Sequence, residues 1–264
     1  MGRLSVDAAN KMLDHILKTT PMDVPTNIYV GLWNGDPEGA GTECPGATYA
    51  RILANGWTNA AARALSNEAK LEFAESGADW GDVDYVTLHD AITEGSLLGK
   101  DDIILMTVNV GENLYIAIGD IDVSLLAGGI GNSWANFFLD HIFKNTPLSV
   151  PTNIYVGYAT ATPEDDASGI AAGEPSGNGY AREVNDAWDP GAAGLADNTG
   201  AILFDACETA PHGAITHFFI SDHLTLQLVA NLIFHGALDA TINIGIGDQL
   251  NFPAGDLDIE IDGA

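Results

Sequence analysis

The sequence predicts a mainly β protein made of two tandem antiparallel β-sandwich (jelly-roll-like) domains, each opened by an α-helix. Three observations carry this. The stretch "VPTNIYVG" occurs twice, at 24–31 and 150–157, and its flanks match as well: "LDHILKTTPMDVPTNIYVG" (13–31) and "LDHIFKNTPLSVPTNIYVG" (139–157) differ at four of nineteen positions. Further matches follow in the same order, "TYAR" (48–51) with "GYAR" (179–182) and "VGENLYIAIGDIDV" (110–123) with "IGDQLNFPAGDLDI" (246–259). Short runs rich in β-branched and aromatic residues alternate with Gly, Pro, Asn and Asp clusters, the pattern of strands and turns. A repeat of about 125 residues exceeds the ~20–50 of a solenoid unit and has the size of a domain. The expected division is 1–126 for the first domain, 127–133 for a flexible Gly-rich linker ("GGIGNS" at its core), and 134–264 for the second.

In each unit a helix comes first. Val6, Ala9, Met12, Leu13, Ile16 and Leu17 recur at helical spacing after a capping Ser5, and Pro21 is expected to stop the helix. Its twin starts at Ser133, lines one side with Trp134, Phe137, Phe138, Ile142 and Phe143, and ends at Pro147. Pro25 and Pro151 are assigned a structural role, holding the chain extended into the first strand, with Ile28, Val30, Ile154 and Val156 facing the core. Strands are expected over 26–33, 49–57, 69–74, 83–90, 103–110, 113–119 and 121–125. The two units diverge most between 32–47 and 158–178, as loops on a shared scaffold do.

Composition narrows the function. Nine Lys and Arg stand against 37 Asp and Glu, a net charge of −28. A phosphate backbone must be met by a basic face, so nucleic acid is excluded as a partner. The acids are spread along the chain, which points to an acidic surface over the whole fold and to life in brine, the plainer alternative being an ordinary acidic extracellular or marine protein. No stretch approaches ~18 unbroken apolar residues and the N-terminus lacks a signal-peptide core, so a soluble chain made in the cytoplasm, without membrane insertion, is expected. Cys44 and Cys207 fall at unmatched places, against a disulfide framework or a CxxC site.

Candidate chemistry is sparse. Arg51 and Arg182, each two residues after a tyrosine, read as buried guanidinium groups paired bidentately with a carboxylate of the same sheet, a structural role. Asp120 with Asp122, and Asp256 with Asp258, read as strand neighbours sharing one face; this face could serve Ca²⁺, which takes six to eight oxygens, although a solvated face is the plainer reading. His15 and His141 read as helix-surface or packing residues. His212, His217, His223 and His235 lie in one region without Cys or carboxylate at ligand spacing, so no metal site is assigned. No nucleophile elbow, P-loop, dinucleotide fingerprint or zincin motif occurs; no catalytic residue, no enzyme activity and no cofactor other than Ca²⁺ is expected.

The ordered set "LDHI", "TP…PTNIYVG", "YAR", an apolar strand, a strand ending in Asp90 or Asp222, and a closing "GD" strand resembles a β-sandwich unit of tailed-virus structural proteins, the tail-fibre-like and head-decoration family of phages and haloarchaeal tailed viruses. The resemblance implies a non-enzymatic virion protein on the particle surface, homo-oligomeric and in contact with the major capsid protein or tail proteins. Compactness favours a capsid decoration or turret, with a tail-fibre or baseplate accessory as the alternative. From another class, a secreted carbohydrate-binding module would use Trp33 and Trp57 near turns; a glycan-cleaving enzyme would need paired carboxylates in a cleft.

The charge makes a direct prediction. The Debye length falls from about 10 Å at ~0.1 M salt to about 3 Å at ~1 M, so the thermal midpoint is expected to rise from ~0.1 M to ~2 M KCl; equal midpoints would remove the brine adaptation.

Overall fold

The computed structural model describes residues 2–46, 48–126 and 129–261. The first unit runs β1 (Arg3–Leu4), α1 (Val6–Leu17), β2 (Tyr29–Asn34), β3 (Thr42–Glu43), β4 (Ile52–Leu53), β5 (Ala64–Ser66), β6 (Leu71–Glu72), β7 (Gly81–His89), β8 (Leu97–Val108), β9 (Tyr115–Ile116) and β10 (Asp122–Ser124). The second runs α2 (Asn132–Phe143), β11 (Tyr155–Ala159), α3 (Ile170–Gly173), β12 (Glu183–Val184), β13 (Leu195–Asp197), β14 (Ile202–Leu203), β15 (Gly213–Ser221), β16 (Leu232–Ile244), β17 (Asn251–Phe252) and β18 (Asp258–Glu260).

Both units share one plan. A long hairpin, β7–β8 or β15–β16, is joined by β2 or β11, with β4 or β12 on the far side. The pairing is antiparallel, with Val30 opposite Leu88 in the first unit and Val156 opposite Ile220 in the second. Two short ribbons complete each unit, β5–β10 with β6–β9 and β13–β18 with β14–β17, and no barrel closes among the described residues. Ile28, Val30, Ile154 and Val156 are buried. The predicted strands over 49–57, 69–74 and 113–119 contract to two residues each, because only those residues find a partner strand.

The repeated motif ends in glycine for a steric reason. A Cβ on Gly157 would lie 2.3 Å from Cζ of Phe219, and one on Gly31 would lie 2.7 Å from Thr87 Oγ1. The first strand can therefore approach the hairpin only without a side chain there.

The helices start and stop differently from expectation. Ser5 caps α1, accepting from the Ala8 amide at 3.1 Å, but α2 begins at Asn132 behind Gly131, with no side-chain cap. Neither proline stops its helix. Thr19 (φ 52°) and Asn145 (φ 53°) turn the chain into the left-handed region directly after Lys18 and Lys144. The amides of Lys18 and Thr20 then both reach Asp14 O, and those of Lys144 and Thr146 both reach Asp140 O.

The glycine-rich connector is not free where it is described. Residues 127 and 128 lie outside the described residues, but the Gly131 amide donates to Ile233 O at 2.8 Å, Gly129 O accepts from the His235 amide at 2.9 Å, and Ile130 bridges Phe234. Ile130 is buried. The segment does in the second unit what β1 does in the first, where Leu4 pairs with Gly99 of β8.

The helices do more than cover their own sheets. Each reaches across to the tight turn of the other unit, with matched contacts. Asn10 Oδ1 accepts from the Gly194 amide and Asn136 Oδ1 from the Arg63 amide, both at 2.8 Å. Asp14 Oδ1 accepts from Gly191 N at 2.8 Å and Asp140 Oδ1 from Ala60 N at 2.9 Å. Lys18 Nζ donates to Trp188 O at 2.8 Å, and Lys144 Nζ to Trp57 O at 3.0 Å. The units are thus related by a pseudo-two-fold exchange of contacts, and one apolar cluster containing Met12, Leu13, Ile16, Phe138, Leu139 and Ile142 runs through both. Burying a side chain of this kind contributes roughly 1.5–3 kcal/mol.

The turns gripped in this way are strained. Ala62 (φ 50°) and Arg63 (φ 63°) occupy the conformation that a two-residue hairpin usually gives to Asn-Gly. In the second unit Ala193 (φ 53°) is followed by Gly194.

At the centre of the seam His15 and His141 lie with ring centroids 5.6 Å apart, both buried. They occupy the interior, not a helix surface. His15 Nδ1 accepts from the Met22 amide and His141 Nδ1 from the Leu148 amide, each at 3.0 Å, while His141 Nε2 faces Met22 O at 3.2 Å. Burial, followed by the neighbouring His141 ring, lowers the His15 pKa from 6.5 to about 4. His89, buried in the first unit's sheet, is also lowered to about 4, by burial and then Arg51. A depressed histidine binds its proton in the unfolded chain first, so this stability is complete above pH 6.5 and is lost as the pH falls towards 4. Each group contributes up to about 3 kcal/mol of that loss. Urea midpoints measured from pH 7 to pH 4 are expected to fall, and His15→Gln to flatten part of the slope; an unchanged slope would show that the seam histidine does not resist protonation.

Candidate functional site

The two "YAR" motifs build the same node. An extended chain puts residues i and i+2 on one face, so the tyrosine and the arginine reach the same glutamate. Arg51 Nε and Nη2 donate to Glu43 Oε1 and Oε2 at 2.7 and 2.9 Å; Arg182 does the same with Glu174 at 2.7 and 2.8 Å. Tyr49 and Tyr180 hydroxyls donate to the same carboxylates at 2.9 and 2.7 Å. Burial and then the adjacent glutamate push both phenols well above their ordinary range. The Arg182–Glu174 pair is buried on both sides, and removing one partner of such a pair costs about 3–5 kcal/mol, whereas Glu43 stays half-buried. Glu43 lies on β3 of the main sheet, but Glu174 caps the short helix α3, outside the sheet.

Each node ends on a hairpin tip. Arg51 Nη1 donates to the carbonyls of Ala91 and Glu94, and Arg182 Nη1 to those of His223 and Leu226, at 2.6–3.2 Å. In the second unit the guanidinium carbon also lies 4.8 Å from the Phe219 ring centroid, the ring for which Gly157 makes room. The glutamates were not singled out from sequence, although each stands eight residues before its arginine in both units.

The other candidate residues are dispersed. Asp120 and Asp256 sit in the turns ahead of β10 and β18, so they do not alternate along a strand with Asp122 and Asp258. Asp120 Oδ2 accepts from the Ala117 amide at 3.2 Å. Asp258 faces Asp197 across the β13–β18 ribbon, where burial and then the hydrogen bond to Asp258 raise the Asp197 pKa. Among the described residues no group of three or more His, Cys, Asp or Glu is arranged to hold a metal. Pro25 is half-buried beside Trp57 and Phe143 at the seam, and Pro151 is buried.

The four second-unit histidines do not converge. His212 accepts from the Tyr158 hydroxyl at 2.7 Å, His223 sits in the hairpin tip, and His235 meets Asp165 at 2.9 Å; only His217 and His235 are neighbours, burial and then His235 lowering the His217 pKa. Cys44 and Cys207 are free and buried, and burial, followed by Glu43, pushes the Cys44 thiol up to about 12. Trp57 is buried against Phe143, with ring centroids 5.0 Å apart, and Trp33 is half-buried and stacked on His89. The tryptophans of the carbohydrate-binding alternative therefore form no displayed aromatic platform.

The scarce cations hold the interior and the seam. Arg51, Arg182 and Lys100 are themselves buried and meet carboxylates, Arg182 a buried Glu174, Arg51 a half-buried Glu43, and Lys100 the more exposed Asp36 at 2.5 Å and Glu38 at 2.8 Å. Lys18, Lys144 and Arg63 cross between units, Arg63 Nη2 reaching Asp165 at 2.9 Å. Lys11 and Lys70 pair locally with Asp7 and Glu72. Few cations remain to neutralise the outer acids.

Each unit also carries a groove between the distal half of its long strand and its β9 or β17 ribbon, about 760 Å³ in the first and about 510 Å³ in the second. Met106, Leu114 and Tyr115 line the first; Ile242, Asn251 and Asp256 line the second. No described helix is long and apolar enough to cross a membrane.

The site thus consists of surfaces and loops on a rigid double scaffold. A family model described as podophage GP4 fiber I protein gp80 matches twice, over residues 3–124 and 129–260, the same two units that the fold displays. A search of curated proteins finds no match. With almost the whole chain covered by two copies of that model, the chain belongs to the podophage GP4 fiber I protein gp80 family.

Proposed function

We propose that this chain is a non-enzymatic tail-fibre component of a tailed phage, a rigid two-unit module that joins other virion proteins at the tail. The observation that carries this reading is the match of both units to a podophage fibre family. Capsid decoration, the sequence's first choice, has less support than the tail-fibre alternative for the same reason. The architecture suits a fibre part: paired scaffolds hold two hairpin tips in fixed geometry through buried Arg–Glu nodes, and loops placed on rigid elements are where recognition concentrates. A halophilic host is part of the proposal and rests on the net charge of −28 and on the internal placement of the cations. The partners under this reading are tail proteins and further copies of the chain.

Purified particles from the source culture test it. Antibody against this chain is expected to label the tail end under the electron microscope, with a copy number by mass spectrometry far below that of the major capsid protein. Label spread over the head at hundreds of copies would restore the decoration reading, and absence from particles would overturn both.

A further inference from the structure

In both units the loop after the first strand fastens to the same two places, but with different chemistry. Gly31, Thr87 and Lys100 stand in one row of the first sheet, and Gly157, Phe219 and His235 in the matching row of the second. Lys100 and His235 are therefore equivalent positions on the two long strands. In the first unit Glu38 Oε1 accepts from the Val6 amide at the start of α1 at 2.6 Å, and Lys100 Nζ meets Asp36 and Glu38 at 2.5 and 2.8 Å. In the second, Asp165 O accepts from the Asn132 amide at the start of α2 at 2.8 Å, and the Asp165 carboxylate meets His235 Nε2 at 2.9 Å. A lysine ammonium is an unchanging charge near neutral pH, whereas an imidazole changes its charge between roughly pH 5 and pH 8.

The second loop is also the strained one. The Thr160 amide ties its ends together by donating to Gly173 O at 2.9 Å. Its apolar contacts, Ala167 and Ile170 with Ala159, Phe219 and Leu232, form a small cluster separate from the main core. Glu164 (φ 61°) and Ala167 (φ 60°), on either side of Asp165, hold the left-handed conformation that residues with a side chain avoid. Such strain persists only while the surroundings enforce it. Asp165 supplies the enforcing contacts: its carbonyl to α2, Oδ1 to His235, and Oδ2 to Arg63 Nη2 of the first unit at 2.9 Å.

We infer that His235 and Asp165 form a pH-sensitive clasp: protonated His235 holds residues 160–174 on the second sheet, and loss of its proton lets this loop open. With His235 protonated, each oxygen of the Asp165 carboxylate meets a cation, His235 at Oδ1 and Arg63 at Oδ2. A neutral His235 still donates, but a hydrogen bond between an uncharged donor and a carboxylate lacks the charge pair that gives the clasp its strength. Three other charged or titratable groups surround it. His217 of β15 faces His235, and burial followed by that ring lowers the His217 pKa, so His217 gains its proton late; Glu164 of the loop acts on His217 in the opposite sense. Arg182 stands against the Phe219 ring, its guanidinium carbon 4.8 Å from the centroid, and is engaged by Glu174. Opening uncovers Phe219 and Leu232 of the sheet and releases one contact across the seam, that of Arg63. None of this depends on the tail-fibre assignment.

Hydrogen exchange of the full chain in ~2 M KCl tests it, read by mass spectrometry at about pH 5.5 and about pH 8 and corrected for the intrinsic exchange rate. Both conditions lie above the value of about 4 at which His15 and His89 take up protons. Wild-type peptides covering 160–174 are expected to open about two- to fivefold more at the higher pH, the effect of a partly exposed charge pair, while 36–46 in the first unit stay unchanged. His235→Lys copies the first unit's clasp and is expected to keep the loop closed in both conditions. His235→Gln, an uncharged donor, is expected to leave it open in both, and His217→Gln to keep the wild-type response. Equal exchange in the two conditions for wild type, an equal change over 36–46, a response that survives in His235→Gln, or one that disappears in His217→Gln would each overturn the inference.

Discussion

Asn10 and Asn136 each give a side-chain oxygen to a backbone amide in the other half of the chain, and most of the architecture depends on that exchange. The turns they hold include Ala62 and Arg63, both at positive φ, a geometry that costs of order 1–3 kcal/mol per residue and persists only when its surroundings enforce it. The enforcing group comes from the opposite unit in each case, so neither turn is complete without the other half. The lysines that follow the helices, Lys18 and Lys144, extend the same grip to Trp188 O and Trp57 O. Units joined in this way behave as an internal dimer whose partner cannot dissociate.

The seam also gives a physical reason for the distribution of charge. With nine cations against 37 acids, a fold that must bury ion pairs has few to distribute. Three cross the seam, and three more, Arg51, Arg182 and Lys100, are buried within the units, where a cation has the greatest effect because its own surroundings are poorly hydrated. The surface is left strongly acidic as a consequence. The Arg–Glu nodes then connect interior and exterior: the same guanidinium that satisfies a buried carboxylate fixes a hairpin tip by its carbonyls.

Much of this was legible in the sequence because duplication compares the fold with itself. The helices and the first strand after "VPTNIYV" are readable from periodicity, and "YAR" marks the arginines; the strands expected at 83–90 and 103–110 fall on the long hairpin, whose second strand in fact starts at Leu97. What stayed hidden was long-range. Asn10, Asp14 and Lys18 look like an ordinary polar helix face, and nothing local shows that this face meets residues 188–194. The glycines at 129 and 131 carry a linker signal, and only the strand edge at Ile233 and His235 converts them into structure. The helices end before Pro21 and Pro147 because Thr19 and Asn145 turn left-handed, a conformation that Asn adopts readily and Thr rarely, so only Asn145 signals it in the sequence. Asp120 and Asp256 are not strand neighbours of Asp122 and Asp258 because each closes the turn ahead of the strand, which alternation alone does not reveal.

Scanning calorimetry of the full chain in ~2 M KCl tests the reciprocal seam most directly. Two domains tied by a flexible linker melt independently, whereas halves that complete each other's turns and share a core melt together. A single transition whose calorimetric enthalpy equals its van't Hoff enthalpy is expected. Two resolved transitions, each with the enthalpy of about half the chain, would contradict the seam as the element on which the structure depends.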